Sequence, residues 1–226
     1  MSDITSWASL DDGALWQIVG LSLSVSLTAT ALATLAGIVL GATFAVCSFP
    51  GRHPLVVLTN AFLGLPPVVV GLALYLLLSH SGPFGAIGLL FTPAAMVLAQ
   101  FILATPIVTA FVHRAIENSW NQYGGALMVD GASRLRAVPH LVAAERVQIL
   151  GAILAGFGRT VSEVGAILIV GGNIAGYTRT MTTAIVLETS KGNLSLALGL
   201  GSVLIGISIA VSAAIFSLGM RGGRGW

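Results

Sequence analysis

Charge is missing from long stretches of this chain. Between His53 and His113 there is no Asp, Glu, Lys or Arg, and there is none in residues 15–49 or 192–220. Each run exceeds the ~20 apolar residues that cross a bilayer, so the pattern predicts a membrane protein. Five apolar segments can be drawn, at roughly 15–49, 55–78, 93–112, 147–170 and 196–220. They predict an all-α polytopic fold with five transmembrane helices. The first segment would span about 50 Å if straight. No polar turn divides it, so it is expected as one long tilted or bent helix and not a hairpin. Pro66 and Pro67 remove amide donors early in the second segment and should bend or break it. A polar island at 113–146 separates the third and fourth segments, and a second polar stretch at 171–195 precedes the last.

Composition agrees with this class. Of 226 residues, 56% are hydrophobic and 8% charged, against about 25% charged in a soluble domain. Mean hydropathy is +0.96 and the pI about 9.1. In such a protein basic loops mark the cytoplasmic side, not a nucleic-acid surface. With the N-terminus outside, Arg52, Arg114, Arg134, Arg136, Arg146, Arg221 and Arg224 all fall inside, and only Arg179 and Lys191 fall outside. The island is therefore expected to be cytoplasmic and 171–195 external. Residues 1–14 form an external N-terminal segment, 15–220 the transmembrane domain and 221–226 a cytoplasmic tail. Asp3, Asp11 and Asp12 precede the first basic residue, Arg52. That start is unlike a signal peptide, so the first span is expected to remain as an anchor. Small residues at helical spacing, Gly37 with Gly41 and Ser202 with Gly206 and Ala210, suit close helix packing, with a dimer interface as one reading.

Within the island, the small and apolar run from Gly124 to Ser133 precedes Arg134 and Arg136, and Pro139 interrupts the pattern. A short helix, a turn permitted by glycine and a second short helix would stand out as a knob suited to a groove on another protein. A plain loop lying on the membrane is the alternative. The run resembles the cytoplasmic loop of ABC importer permeases, Glu-Ala-Ala-x-x-x-Gly, then nine residues, then Ile-x-Leu-Pro, which docks on the ATPase subunit. Aligned on Gly131, the triad falls on Gly125, Ala126 and Leu127 and the terminal element on Leu141 to Ala144. Gly125 replaces the acidic residue of that pattern and Ala144 the proline. Ala132 and Ser133 complete the candidate docking turn.

Further on, Gly156-Phe157-Gly158-Arg159-Thr160-Val161-Ser162-Glu163-Val164-Gly165-Ala166 resembles the Phe-x-Arg-x-x-x-Glu-x-Gly-Ala element of molybdate, sulfate and tungstate permeases. The continuation through Gly171, Gly172, Asn173, Thr178, Arg179, Met181, Thr182, Thr183 and Glu188 is similar to tungstate-type permeases. So is Leu63-Gly64-Leu65-Pro66-Pro67-Val68. The likeness covers about residues 15–220. It implies a type I ABC importer permease moving an oxyanion, most of all tungstate, across the inner (cytoplasmic) membrane. It also implies a homodimer, a separate ATPase subunit that binds the ATP, and an external oxyanion-binding protein. Molybdate or sulfate as substrate, an ion-coupled secondary transporter, and a non-transport scaffold are the rival readings.

The residues themselves suggest candidate roles. Arg159 and Glu163 are four apart, so on one helix they would meet on one face. Counted from Arg146, Arg159 lies about 20 Å into the membrane, where a charge must be paired or face water. The pair is either a pathway element or a structural ion pair, and the latter is favoured because a loose Glu163 would repel an anion. In the external stretch, amides at Gly171 and Gly172 with Asn173, Thr178, Arg179, Thr182 and Thr183 offer donors to a tetrahedral anion. The alternative there is an ordinary loop with a docking or gating role. His53, His80, His113 and His140 have no metal-ligand spacing, and neither a phosphate-binding Gly-rich loop nor a nucleophilic triad is present. The chain is expected to be no enzyme, with no catalytic residue, metal or cofactor of its own.

Overall fold

The computed structural model describes residues 12–221, so the outermost parts of the expected N-terminal segment and tail lie outside the described residues. These residues form helices without strands: α1 Asp12–Val46, α2 Arg52–Ala61, α3 Pro67–Leu78, α4 Pro93–Val129, α5 Arg134–Ala144, α6 Arg146–Val161, α7 Gly165–Gly171, α8 Met181–Ser190 and α9 Leu194–Arg221. Helices α1, α4 and α9 are long and apolar enough to cross a membrane. Two bent pairs, α2 with α3 and α5 with α6, raise the number of candidate spans to as many as five.

The first apolar run is one helix, as its unbroken pattern required. It lies along α4, and glycines set the separation. A Cβ on Gly37 would sit 2.7 Å from Val108 Cγ1, and one on Gly41 would sit 2.8 Å from the Thr109 carbonyl oxygen. This pair therefore packs α1 on α4 within one chain and is not a dimer surface. Ser202, Gly206 and Ala210 on α9 remain exposed.

At Pro66 and Pro67 the chain turns by 104° between α2 and α3. Pro66 is the extended N-cap of α3 and Pro67 its first residue, where a missing N–H costs nothing. Helix α4 departs from expectation at its far end. It does not stop near Val112 at the limit of the apolar run but continues to Val129, so residues 113–129 form no separate short helix. The run His113 to Val129 is polar but free of proline, and the two glycines near its end do not stop it. Pro139 likewise does not break the island. It lies within α5, which Ser133 caps through Arg136 N and which buries Ala137 and Leu141.

Among the described residues, three apolar clusters hold the bundle together. One joins α3, α4 and α7 through Val70, Leu74, Met96, Leu103, Ile167 and Val170. A second joins α1, α4, α5 and α6 around Val108, Val112, Ile116, Leu141 and Ile149. A third seats α8 and α9 on the start of α1 through Ile18, Met181, Ala184, Leu196 and Leu200. At the end of the bundle that carries the island, Arg52 pairs with Glu117 at 2.6 Å and Arg134 donates to Ser48 at 2.8 Å.

Candidate functional site

The expected fourth apolar span is not continuous. Helix α6 ends at Val161 and α7 starts at Gly165, leaving Ser162, Glu163 and Val164 outside helix. Arg159 and Glu163 therefore do not share one helix, contrary to the sequence expectation. No glycine or proline lies in this break, so its cause is tertiary. At membrane depth every freed backbone group needs a partner, because an unsatisfied one costs several kcal/mol.

Several of these groups have identified partners. The Thr160 carbonyl accepts from Gln100 Nε2 at 2.8 Å and from the Glu163 amide at 3.2 Å. The Glu163 carbonyl accepts from Thr182 Oγ1 at 2.9 Å. Glu163 Oε1 accepts the Ala166 amide at 3.0 Å and so caps α7. Glu163 is thereby fixed and buried, with 3% of its side chain exposed, whereas Arg159 keeps 30% exposed and approaches Glu163 Oε2 only to 3.8 Å. The pair is loose. The carboxylate is held by α7, and the guanidinium retains free donors at a partly open face.

A buried polar seam supports this break. Ser22, Ser26 and Thr30 recur every fourth residue on one face of α1. Thr30 Oγ1 lies 2.9 Å from Thr160 Oγ1, Gln100 Nε2 lies 3.4 Å from Ser26 Oγ, and Ser22 Oγ accepts the Met181 amide at 2.7 Å. The sequence reading missed Gln100, Ser22, Ser26, Thr30 and Thr160. The available signal was the four-residue spacing on α1, with Gln100 as a lone large amide inside an uncharged span.

Two sequence motifs also meet here. A Cβ on Gly71 would stand 2.8 Å from Ala166 Cα, and one on Gly165 would stand 2.9 Å from Val68 Cγ2. The double-proline segment thus seats α3 directly on α7, beside Glu163. Thr182 and Thr183 belong to the N-terminus of α8. Thr183 forms a capping box with Thr180, so both hydroxyls are buried and engaged. Thr178 is also buried and donates to the Gly171 carbonyl at 2.5 Å. Gly172 and Asn173 turn the chain at positive φ, and Asn173 holds Arg179 through its side-chain and backbone oxygens at 3.3 and 3.4 Å. In the same stretch Lys191 donates to Glu188 at 2.8 Å and holds that carboxyl below the usual range.

No protein-family model matches the chain. Individual proteins do. It is 38% identical to the probable anion ABC transporter permease protein of Haloferax volcanii over 201 residues, 87% of each chain. It is 35% identical to the tungstate uptake system permease protein TupB of Peptoclostridium acidaminophilum over 207 residues, 92% of this chain and 91% of that one. The chain belongs to the oxyanion ABC transporter permeases. A third relative of this permease, the molybdenum transport system permease protein ModB of Escherichia coli, is 32% identical over 212 residues, 84% of this chain and 91% of its own.

The candidate docking residues of the permease sit far from the break. Gly125, Ala126 and Leu127 close α4, Gly131 turns the chain at φ +85°, and Ala132 and Ser133 lead into α5. The Gly131 amide bonds the Met128 carbonyl at 3.1 Å and the Ala132 amide the Leu127 carbonyl at 3.0 Å. Around this turn Val129 is 88% and Leu135 67% exposed, with Tyr123 and Met128 half exposed. Gln100 and Met128 lie at opposite ends of α4, about 40 Å apart along its axis.

Proposed function

We propose that this permease imports tungstate into the cell. Two copies line the pathway in the inner membrane, N-termini outside, and a separate ATPase supplies the energy. The observation that carries the substrate is the 35% identity with a tungstate uptake permease over 92% of the chain. The geometry supports a pathway at the break between α6 and α7. There Arg159 offers charge-assisted donors to an anion while α7 occupies the Glu163 carboxylate and Thr182 fixes the backbone beside it. On this reading the turn from Gly125 to Ser133 is the knob that seats in the ATPase subunit, which binds the ATP. An external binding protein delivers the oxyanion at the opposite end.

Uptake of radiolabelled tungstate at trace concentration, in cells with and without the gene, tests the substrate. Loss of uptake on deletion, with wild-type uptake resisting excess molybdate and sulfate, is expected. Equal competition by molybdate would make the chain a shared oxyanion permease, and unchanged uptake on deletion would remove the tungstate assignment.

Gly131→Arg tests the knob. The left-handed backbone costs an L side chain roughly 1–2 kcal/mol, and a charged side chain lands on the apolar tip. The variant is expected in the membrane at near wild-type level, with uptake reduced at least tenfold and the ATPase no longer co-purifying. Gly131→Ala shares the backbone strain without the bulk and should retain the ATPase. Normal uptake by Gly131→Arg would refute the docking role.

A further inference from the structure

At the end opposite the knob, the start of α1 and the loop between α7 and α8 enclose a cleft of about 470 Å³ lined by Trp16, Gln17, Gly176, Tyr177 and Arg179 among others. We propose that this cleft is a receiving site for a tetrahedral oxyanion, with Arg179 as its charged contact. It rests on the import reading above and adds to it a first stop before the break at Arg159.

Arg179 is held in place by Asn173. Asn173 stands in the left-handed region at φ 51°, a conformation in which non-glycine residues are uncommon and which concentrates at functional sites. That conformation lets its two oxygens take Nε and Nη2 of Arg179. A guanidinium has five N–H donors, so three remain for a ligand. Among the described residues no carboxylate lies within ion-pairing distance of Arg179. Glu188, the acid whose charge Arg179 influences, is already bonded to Lys191 and to Asn193.

The other lining groups suit the same ligand. Gln17 brings two amide donors and Tyr177 a phenolic one, and among the described residues no acidic side chain lines the cleft. An oxyanion such as tungstate or molybdate only accepts hydrogen bonds, so a cleft that offers the donors of Arg179, Gln17 and Tyr177 is its electrostatic complement. The cavity at the opposite end, about 430 Å³, also contains an arginine, but there Arg52 is neutralised by Glu117. Exposed Trp16 and Tyr177 would fit a membrane-interface belt as well. A belt, however, gives no reason for an arginine locked by a left-handed asparagine.

Trp16 supplies a reporter at the cleft. Sodium tungstate is titrated into the purified permease–ATPase complex without the binding protein, and tryptophan fluorescence is followed in wild type, Trp16→Phe, Arg179→Gln and Arg179→Lys. A saturable change is expected in wild type and is lost in Trp16→Phe. Arg179→Gln should raise the half-saturating concentration at least tenfold. Arg179→Lys should raise it less, because charge survives while the planar fork does not. No saturable response in wild type, or equal half-saturation in Arg179→Gln, overturns the site. If Arg179→Gln keeps the tungstate response and loses only the stimulation of ATP hydrolysis by the binding protein, the cleft is a docking surface and the oxyanion site is refuted. Failure of the import reading would appear separately, as wild-type cells that accumulate none of tungstate, molybdate or sulfate.

Discussion

Glu163→Ala is expected to lose both the folded permease and its transport, and Glu163→Gln to lose transport alone. The contrast follows from the two jobs of one side chain. Oε1 accepts the Ala166 amide at the start of α7, and Oε2 faces Arg159 at 3.8 Å. Alanine removes the acceptor and leaves a buried N–H unsatisfied, which costs about 1–3 kcal/mol. Both variants leave Arg159 without this counter-charge. Glutamine keeps an oxygen for Ala166 and drops only the charge. Membrane yield and thermal stability of Glu163→Gln should therefore stay near wild type, while oxyanion uptake falls at least tenfold because Arg159 no longer has its partner. Alanine should lower both yield and stability. If glutamine and alanine are equally unstable, the charge itself holds the break, and the division between cap and pathway is wrong.

Gly41→Leu should be as damaging for a different reason. The first side-chain carbon alone would lie 2.8 Å from the Thr109 oxygen, 2.9 Å from the His113 nitrogen and 2.9 Å from Val112 Cβ. Two of these are backbone atoms of a long helix, which cannot swing aside as a flexible side chain can. Overpacking of this kind costs about 1–3 kcal/mol or more. Gly37, one turn earlier, meets Val108 and the Thr109 amide in the same way. Monodisperse protein recovered from membranes is expected to drop about tenfold for Gly41→Leu and further for the double variant Gly37→Leu/Gly41→Leu. Gly151→Leu, where nothing stands within 4 Å, serves as the control and should be recovered normally. Normal recovery of Gly41→Leu would mean that α1 and α4 are not in such close contact.

Much of this architecture is written locally. An uncharged run of 35 residues with no polar turn becomes one helix, α1. Pro66 and Pro67 turn the chain where they stand, and Gly131 supplies the positive φ of the knob. The break at Ser162 to Val164 is different. Its own residues give no stop signal, and the groups that satisfy it come from Gln100 and Thr182, which are distant in sequence. No periodicity in residues 147–170 could reveal it. The extent of α4 was hidden for another reason: hydropathy marks where the bilayer ends, whereas a helix continues for as long as nothing stops it. The small residues on α1 signalled close approach but could not name the partner helix. Thr178, Thr182 and Thr183 look like ligand donors in sequence, yet fold into caps and turns that use their hydroxyls.

The uninterrupted course of α4 from Pro93 to Val129 makes sequence spacing along it a matter of angle. Each residue advances an α-helix by about 100°, since 3.6 residues complete a turn. Inserting one residue between Gln100 and Gly125 would swing the exposed tip around the axis by that amount while moving it only about 1.5 Å outward. Gln100 would still face Thr160, but Val129 and Leu135 would point a quarter of a circle away. A change of about seven or eleven residues nearly restores the heading. The stretch between Gln100 and the Gly131 turn thus behaves as a fixed phase, intolerant of altered count.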